Sequence, residues 1–291
     1  MTVQSTNRIG TAIATALLLG LAACNENGPS SPTPPTGDTQ NVSYAAIGAS
    51  DAIGVGASVP CFPFTDCPDG TGYVQTIVRR LRAAGRTVSL LNLGIPGAVL
   101  SPEVEELARS LGRGTIGNFI DRELPFVPRN ATHVTVFAGP NDVNTVGLAI
   151  EAGMGGDPAA FIQAQTDIFG RNFTTLVNGI RTRAPNARVV AVNVPNLGLL
   201  PYVANRSLND RRLLQQISVA FSARVNAHAG AGLPVVDLMC DARSYQPGIY
   251  SSDGYHPNDS GYAYVADRLY EALTTGTAPA PRASCAEMSQ L

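Results

Sequence analysis

Three observations predict one doubly wound α/β domain built on a parallel sheet of five strands. Short β-branched runs alternate with stretches of helical periodicity, the pattern of strands joined by crossover helices. The strand candidates are apolar on both faces, as strands covered by helices on both sides must be. The 291 residues are 44% hydrophobic and only 14% charged, enough apolar material for one large core, and no internal repeat divides them.

The first strand is read at Val42–Ile47, and the helix after it carries Tyr73, Ile77, Leu81 and Ala84 before stopping at Gly85. Thr87–Leu93 is the second strand, followed by a helix opened by Ser101-Pro102-Glu103, with serine at the cap and proline in the first turn. His133–Ala138 is the third. Residues Val143 to Gly156 beyond it read as a glycine- and methionine-bearing loop, and Asp157-Pro158 then opens a helix through Phe169, Phe173, Leu176 and Ile180. The fourth strand, Arg188–Val194, leads to a helix with Leu213, Ile217, Phe221 and Val225. Pro234–Met239 is the fifth, and Tyr262, Val265, Leu269 and Leu273 mark the last helix. The folded domain is thus expected at 42–275, with a C-terminal tail at 276–291.

Ahead of the domain, Arg8 is followed by an apolar run ending in Leu21-Ala22-Ala23-Cys24, too short to span a bilayer comfortably. The run resembles a bacterial lipoprotein signal peptide (residues 1–23), which implies cleavage before Cys24 and a lipid on that thiol. Residues 24–41, rich in Pro, Ser, Thr and Gly, cannot build a core and read as a tether. Export is therefore expected, to the bacterial cell envelope outside the cytoplasm, anchored to a membrane through Cys24. In that compartment disulfides persist. Five cysteines are an odd number; with Cys24 lipidated, four remain, and four allow three pairings. The closeness of Cys61 to Cys67 in sequence favours Cys61–Cys67 with Cys240–Cys285, the second bridge pinning the tail.

Twenty basic against 22 acidic residues gives a net charge of −2, with no basic run, which argues against a nucleic-acid partner.

In doubly wound folds the working residues gather where strands end at their carboxyl side. The first strand exits into Gly48-Ala49-Ser50-Asp51, a turn that serves tight packing, phosphate binding or a presented serine equally well. It lacks both familiar nucleotide-loop patterns. Gly97 after the second strand is either a turn glycine or a backbone N–H donor, and Asn141 after the third is either turn chemistry or a side-chain donor. Of the three histidines, His133 sits at the opposite end of the sheet and His228 at the end of a helix, where a cation opposes the dipole. His256 alone lies on the working rim. Asp253, three residues earlier, is placed for one tight turn to fix its tautomer, unless the pair is a surface turn or part of a metal site.

Taken together, Ser50, Gly97, Asn141 and the Asp253-x-x-His256 pair resemble the SGNH (GDSL-like) hydrolase family, from Val42 to about Leu273. The resemblance implies a flavodoxin-like three-layer fold and a serine esterase or lipase. One departure is that the family's usual Gly-Asp-Ser is Gly48-Ala49-Ser50 here. The implied roles obey ordinary chemistry. Serine needs an adjacent base, so His256 would take the Ser50 proton while Asp253 steadies the imidazolium. The Ser50 and Gly97 N–H groups with the Asn141 amide would form an oxyanion hole. No metal or organic cofactor is required.

The substrate is expected to be a lipid or small-molecule ester, and the enzyme a monomer. Phe62 and Phe64 in the Cys61–Cys67 loop, the run Val194–Tyr202 and the loop after Asn141 suggest an acyl pocket with a movable wall. Carbohydrate O-acetyl esters are the alternative substrate, although the chain has no Trp and offers no obvious sugar-stacking platform. A non-catalytic binding lipoprotein is the remaining reading, and an intact set of site residues weighs against it.

Overall fold

The computed structural model describes residues 41–65, 67–114 and 117–291. The signal peptide, Cys24 and the tether read from residues 1–40 lie outside the described residues. Among those described, five strands form one parallel sheet: β1 (Asn41–Ile47), β2 (Thr87–Asn92), β3 (His133–Phe137), β4 (Arg188–Val192) and β5 (Val235–Val236), in the order β2-β1-β3-β4-β5. Asn41, read as the end of the tether, already pairs with Thr87 and opens β1.

The two-residue period of each strand sorts its side chains between two cores. Tyr44, Ala46, Val190, Val192 and Val236 face α2 (Tyr73–Ala83) and α8 (Asp259–Thr275). Ala45, Ile47, Val134, Val136, Val189 and Ala191 face the other layer. That layer holds α5 (Pro140–Glu151), α6 (Pro158–Arg183) and α7 (Leu208–Asn226), with Phe169 and Phe221 stacked at 4.3 Å between ring centroids. Burying each such ring contributes about 1.5–3 kcal/mol. The short helices α1 (Ser50–Ile53) and α4 (Phe119–Arg122) and the helix α3 (Pro102–Ser110) fill the connections.

Two expectations are corrected. The fifth strand is far shorter than Pro234–Met239, because side chains replace the ladder beyond Val236. Leu238 and Met239 donate their N–H groups to Asn193 Oδ1 (2.7 and 3.0 Å), and Cys240 donates to Asp237 Oδ1 (3.0 Å). The supposed loop from Val143 to Gly156 is mostly the helix α5, with Pro140 in its first turn and Gly139 before it at φ +114°. Helical spacing of Val143, Val146 and Ile150 puts these residues against the core.

Both expected disulfides are formed, Cys61–Cys67 and Cys240–Cys285. The tail is held further by Arg282 N–H on Asp237 Oδ2 (3.0 Å) and by Asn196 Nδ2 on the Glu287 carbonyl (2.7 Å).

Candidate active site

Ser50 is the first residue of α1, directly beyond β1, and only 7% of it is exposed. Its turn is fixed from two sides. Asn92, at the end of β2, donates Nδ2 to the Ala52 carbonyl at 2.7 Å, and Gly48 N–H donates to Glu123 Oε2 at 3.0 Å. The chain leaving α1 then runs against the histidine loop. Gly56 lies at φ +91°, and a Cβ there would stand 2.8 Å from His256 Cβ and 2.7 Å from the Pro257 carbonyl, so only glycine allows the approach. Tyr262 donates to the Val55 carbonyl at 2.6 Å, and Asp259 accepts from Ser58 N–H at 2.7 Å and Thr71 Oγ1 at 2.8 Å.

The histidine loop folds on Asp253. One carboxylate oxygen accepts from the N–H groups of Tyr255 (2.8 Å) and His256 (2.9 Å) and from Ser251 Oγ (2.9 Å). The other meets His256 Nδ1 at 2.6 Å. Partial burial pushes the Asp253 carboxyl up, but the His256 ring and these donors outweigh it and hold the group down at about 2. An ionised Asp253 can only accept, so Nδ1 carries the ring proton and Nε2 is the acceptor. His256 Nε2 stands 2.9 Å from Ser50 Oγ. The three residues singled out in the sequence therefore form one continuous hydrogen-bond chain.

The two other exits converge on the same place. Ile95 N–H donates to the Gly48 carbonyl at 3.2 Å, bringing the β2 exit against the Ser50 turn. Gly97 follows at φ +78°. Asn141, in the first turn of α5, donates Nδ2 to the carbonyl of Ala98, the neighbour of Gly97, at 3.0 Å. Its Oδ1 contacts Tyr255 OH at 3.4 Å, next to His256. Among the described residues, the N–H groups of Ser50 and Gly97 have no acceptor. Backbone donors at Ser50 and Gly97 and the side-chain amide of Asn141 thus lie on strand exits tied to one another and to the histidine loop.

The other histidines lie elsewhere. His133 is buried at the start of β3 against Thr132 Oγ1, with burial and nearby arginines holding it down at about 4. His228 contacts Thr174 Oγ1 and the Phe173 ring, and burial lowers its pKa too, which favours a neutral ring over the cationic helix cap expected from sequence.

A cleft of about 290 Å³ opens beside Asn141, walled by Leu148, Leu214, Tyr202 and Tyr255, with Arg113 and an Arg206–Glu151 ion pair at its polar edges. Of the expected pocket, Tyr202 and the face of α5 contribute. Phe62 and Phe64 do not: they are 78% and 60% exposed, and the Phe64 ring meets Phe126. The wall after Asn141 is helix, with its first turn bonded to Arg113, rather than a movable loop. A second, small apolar cavity of about 40 Å³ lies behind the site, between Asp51, Pro140, Tyr255 and Pro257.

Sequence reading missed the supporting groups. Glu123 is fully buried, and burial pushes its carboxyl well above the usual range despite the Gly48 N–H. Arg113 reaches Asn141 from the end of α3, and nothing local in the sequence announces either contact. Tyr255 is the exception, since its adjacency to His256 was a usable signal.

The sequence profile of the GDSL-like lipase/acylhydrolase family matches residues 46–264. The Bacillus subtilis (strain 168) protein YpmR is 23% identical over 275 residues, spanning 90% of this chain and 94% of its own. Among solved structures, the extracellular lipase of Streptomyces rimosus superposes with a TM-score of 0.52 at 18% identity, covering 80% of this chain and 99% of that one. The lipase Lip_vut3 from a goat rumen metagenome gives 0.56 at 17% identity, covering 79% and 97%. At these identities the structural likeness speaks for the fold.

Proposed function

Because the chain belongs to the GDSL-like lipase/acylhydrolase family, we propose that it hydrolyses carboxylic esters through an acyl-enzyme on Ser50. The observation that carries this reading is the chain from Ser50 Oγ through His256 to Asp253, at 2.9 and 2.6 Å. Ser50 Oγ attacks the ester carbonyl as His256 Nε2 takes its proton. The imidazolium that forms faces the ionised Asp253, and the developing oxyanion is met by the N–H groups of Ser50 and Gly97 and the amide of Asn141. Collapse of the tetrahedral intermediate expels the alcohol, protonated by His256. Water then enters, gives its proton to the same ring and releases the acid.

Aliphatic and tyrosine walls in the cleft beside Asn141 favour an acyl group of lipid or small-molecule esters. The L-A-A-C sequence at Cys24 and two disulfides suited to a non-reducing compartment support a lipid-anchored enzyme of the bacterial envelope.

The test is Ser50→Ala assayed on p-nitrophenyl esters of graded chain length and on acetylated sugars. Turnover should vanish with the circular dichroism unchanged, and a fluorophosphonate should label Ser50 in the wild type. Full activity in the variant would sink the mechanism. A wild-type preference for acetylated sugars over all chain lengths would transfer the reading to carbohydrate O-acetyl esters.

A further inference from the structure

From its contacts with Asn141, we infer that Arg113 is a positioning residue that sets the orientation of the Asn141 amide and so aims its N–H into the oxyanion hole. The inference rests on the mechanism above. Arg113 is delivered by the end of α3: Gly112 turns at φ +68°, Gly112 N–H bonds the Arg109 carbonyl and Arg113 N–H reaches back to the Ala108 carbonyl, both at 3.0 Å. That reversal sends the guanidinium to α5. One arm donates to the Asn141 backbone carbonyl at 2.8 Å and to Thr145 Oγ1, and the other donates to Asn141 Oδ1 at 3.0 Å.

The two ends of an asparagine amide have nearly the same shape, so partners decide which end points where. Guanidinium has donors only, so the atom facing Arg113 must be the oxygen. The Ala98 carbonyl accepts only, so the atom facing it, at 3.0 Å, must be the nitrogen. A flipped amide would set NH₂ against a cation and oxygen against oxygen. With the nitrogen fixed and one of its hydrogens on Ala98, the second has no acceptor among the described residues and is left for the substrate oxygen. The charged donor on Oδ1 also draws electron density toward the oxygen, which makes the N–H a stronger donor.

Arg113 also borders the cleft beside Asn141, so a direct role in holding substrate would look similar in a single-point assay. The two roles separate in kcat and KM. Arg113→Met should lower kcat about ten- to a hundredfold, the scale of a misplaced catalytic group, with KM within twofold. Asn141→Ala should lower kcat by about 10²–10³-fold. Combining the two should cost no more than Asn141→Ala alone, because an arginine that works through the amide has nothing left to position. Arg113→Lys, which keeps a cationic donor but loses the fork, should recover part of kcat, and added guanidinium at millimolar concentration should partly rescue Arg113→Ala. Thermal melts of each variant register any loss of folding. A full multiplicative effect of Arg113→Met in the Asn141→Ala background, or a raised KM at unchanged kcat, overturns the positioning role while leaving Ser50 chemistry untouched. Wild-type kcat in Asn141→Ala itself would remove Asn141 from the oxyanion hole and the role of Arg113 with it.

Discussion

Asp142 gives the stability of the protein a pH dependence that can be worked out from its surroundings. Its side chain is buried in the first turn of α5; Oδ1 accepts from Leu100 N–H at 2.9 Å, and Oδ2 has no partner among the described residues. Burial pushes the carboxyl from 3.8 up to about 7, against the weaker pull of the Leu100 N–H, its own N–H and Arg113. Because the folded value is the higher one, the native state holds a proton that the unfolded chain has released throughout the interval between them. Stability from this group is complete below pH 3.8, falls as pH rises, and is lost above about 7. At about 1.4 kcal/mol per unit the whole loss is on the order of 4 kcal/mol, of which roughly 3 kcal/mol falls between pH 5 and pH 8.5. Asp142→Asn keeps an oxygen for the Leu100 N–H and cannot ionise. Urea unfolding of both proteins with disulfides intact should show the variant gaining about 3 kcal/mol relative to wild type between those two pH values. Glu123 and Asp51 are also raised by burial but are common to both proteins and drop out of the difference. Parallel stability profiles for the two proteins would refute the buried-acid reasoning.

Asp253→Asn should preserve the fold and lower kcat by about 10⁴-fold, since an amide facing Nδ1 no longer fixes the tautomer that leaves Nε2 free to accept from Ser50. Steady-state kinetics beside a melt of the same sample checks it, and a loss under tenfold would contradict the orienting role. Cys24→Ser should move esterase activity from the membrane pellet to the soluble fraction of cells expressing the full chain, as measured in each fraction after ultracentrifugation. Wild-type activity that is already soluble would refute the anchor.

What the sequence made legible follows the range of the interactions involved. Strand periodicity and helix-opening pairs such as Asp157-Pro158 are local, and the first four strands and the helix opened by that pair stand where they were expected; the Asp157 carboxylate accepts from Ala159 N–H at 3.1 Å. The Asp253–His256 pair was readable because the contact that joins them spans three residues. The Gly48–Glu123 bond, 75 residues apart, and the Arg113–Asn141 bond, 28 apart, close only once the fold exists. The same reasoning explains β5: a run of apolar residues predicts a strand, but Asn193, a neighbour only in space, takes over its N–H groups. The glycines and methionine of residues Val143 to Gly156 suggested a loop, although Gly139-Pro140 had already opened a helix. Ala49, the departure from the family's usual aspartate, is buried in the apolar core with 4% exposure, a position where an unpartnered carboxylate would be costly.

Two carboxyls bear on His256, and solvation decides which of them can serve it. Asp51 follows Ser50 directly and is coupled to the imidazole by charge, yet burial raises its pKa, and the neighbouring Tyr255 ring and apolar cavity supply little to solvate an anion. Asp253 sits at the rim, where partial burial is outweighed by the His256 ring and three further donors that hold it down at about 2. A carboxylate ionised at every working pH can accept from Nδ1 at rest and face the imidazolium as it forms, without trading a proton with it. Glu123 beneath the Ser50 turn and Asp142 in the first turn of α5, beside Asn141, lie on the other side of this division. Both are raised by burial, and each receives a backbone N–H, so they brace the turns that carry Ser50 and Asn141. Solvent and hydrogen-bond donors thus keep Asp253 as the ionised partner of the base, while burial raises the carboxyls that hold the neighbouring turns.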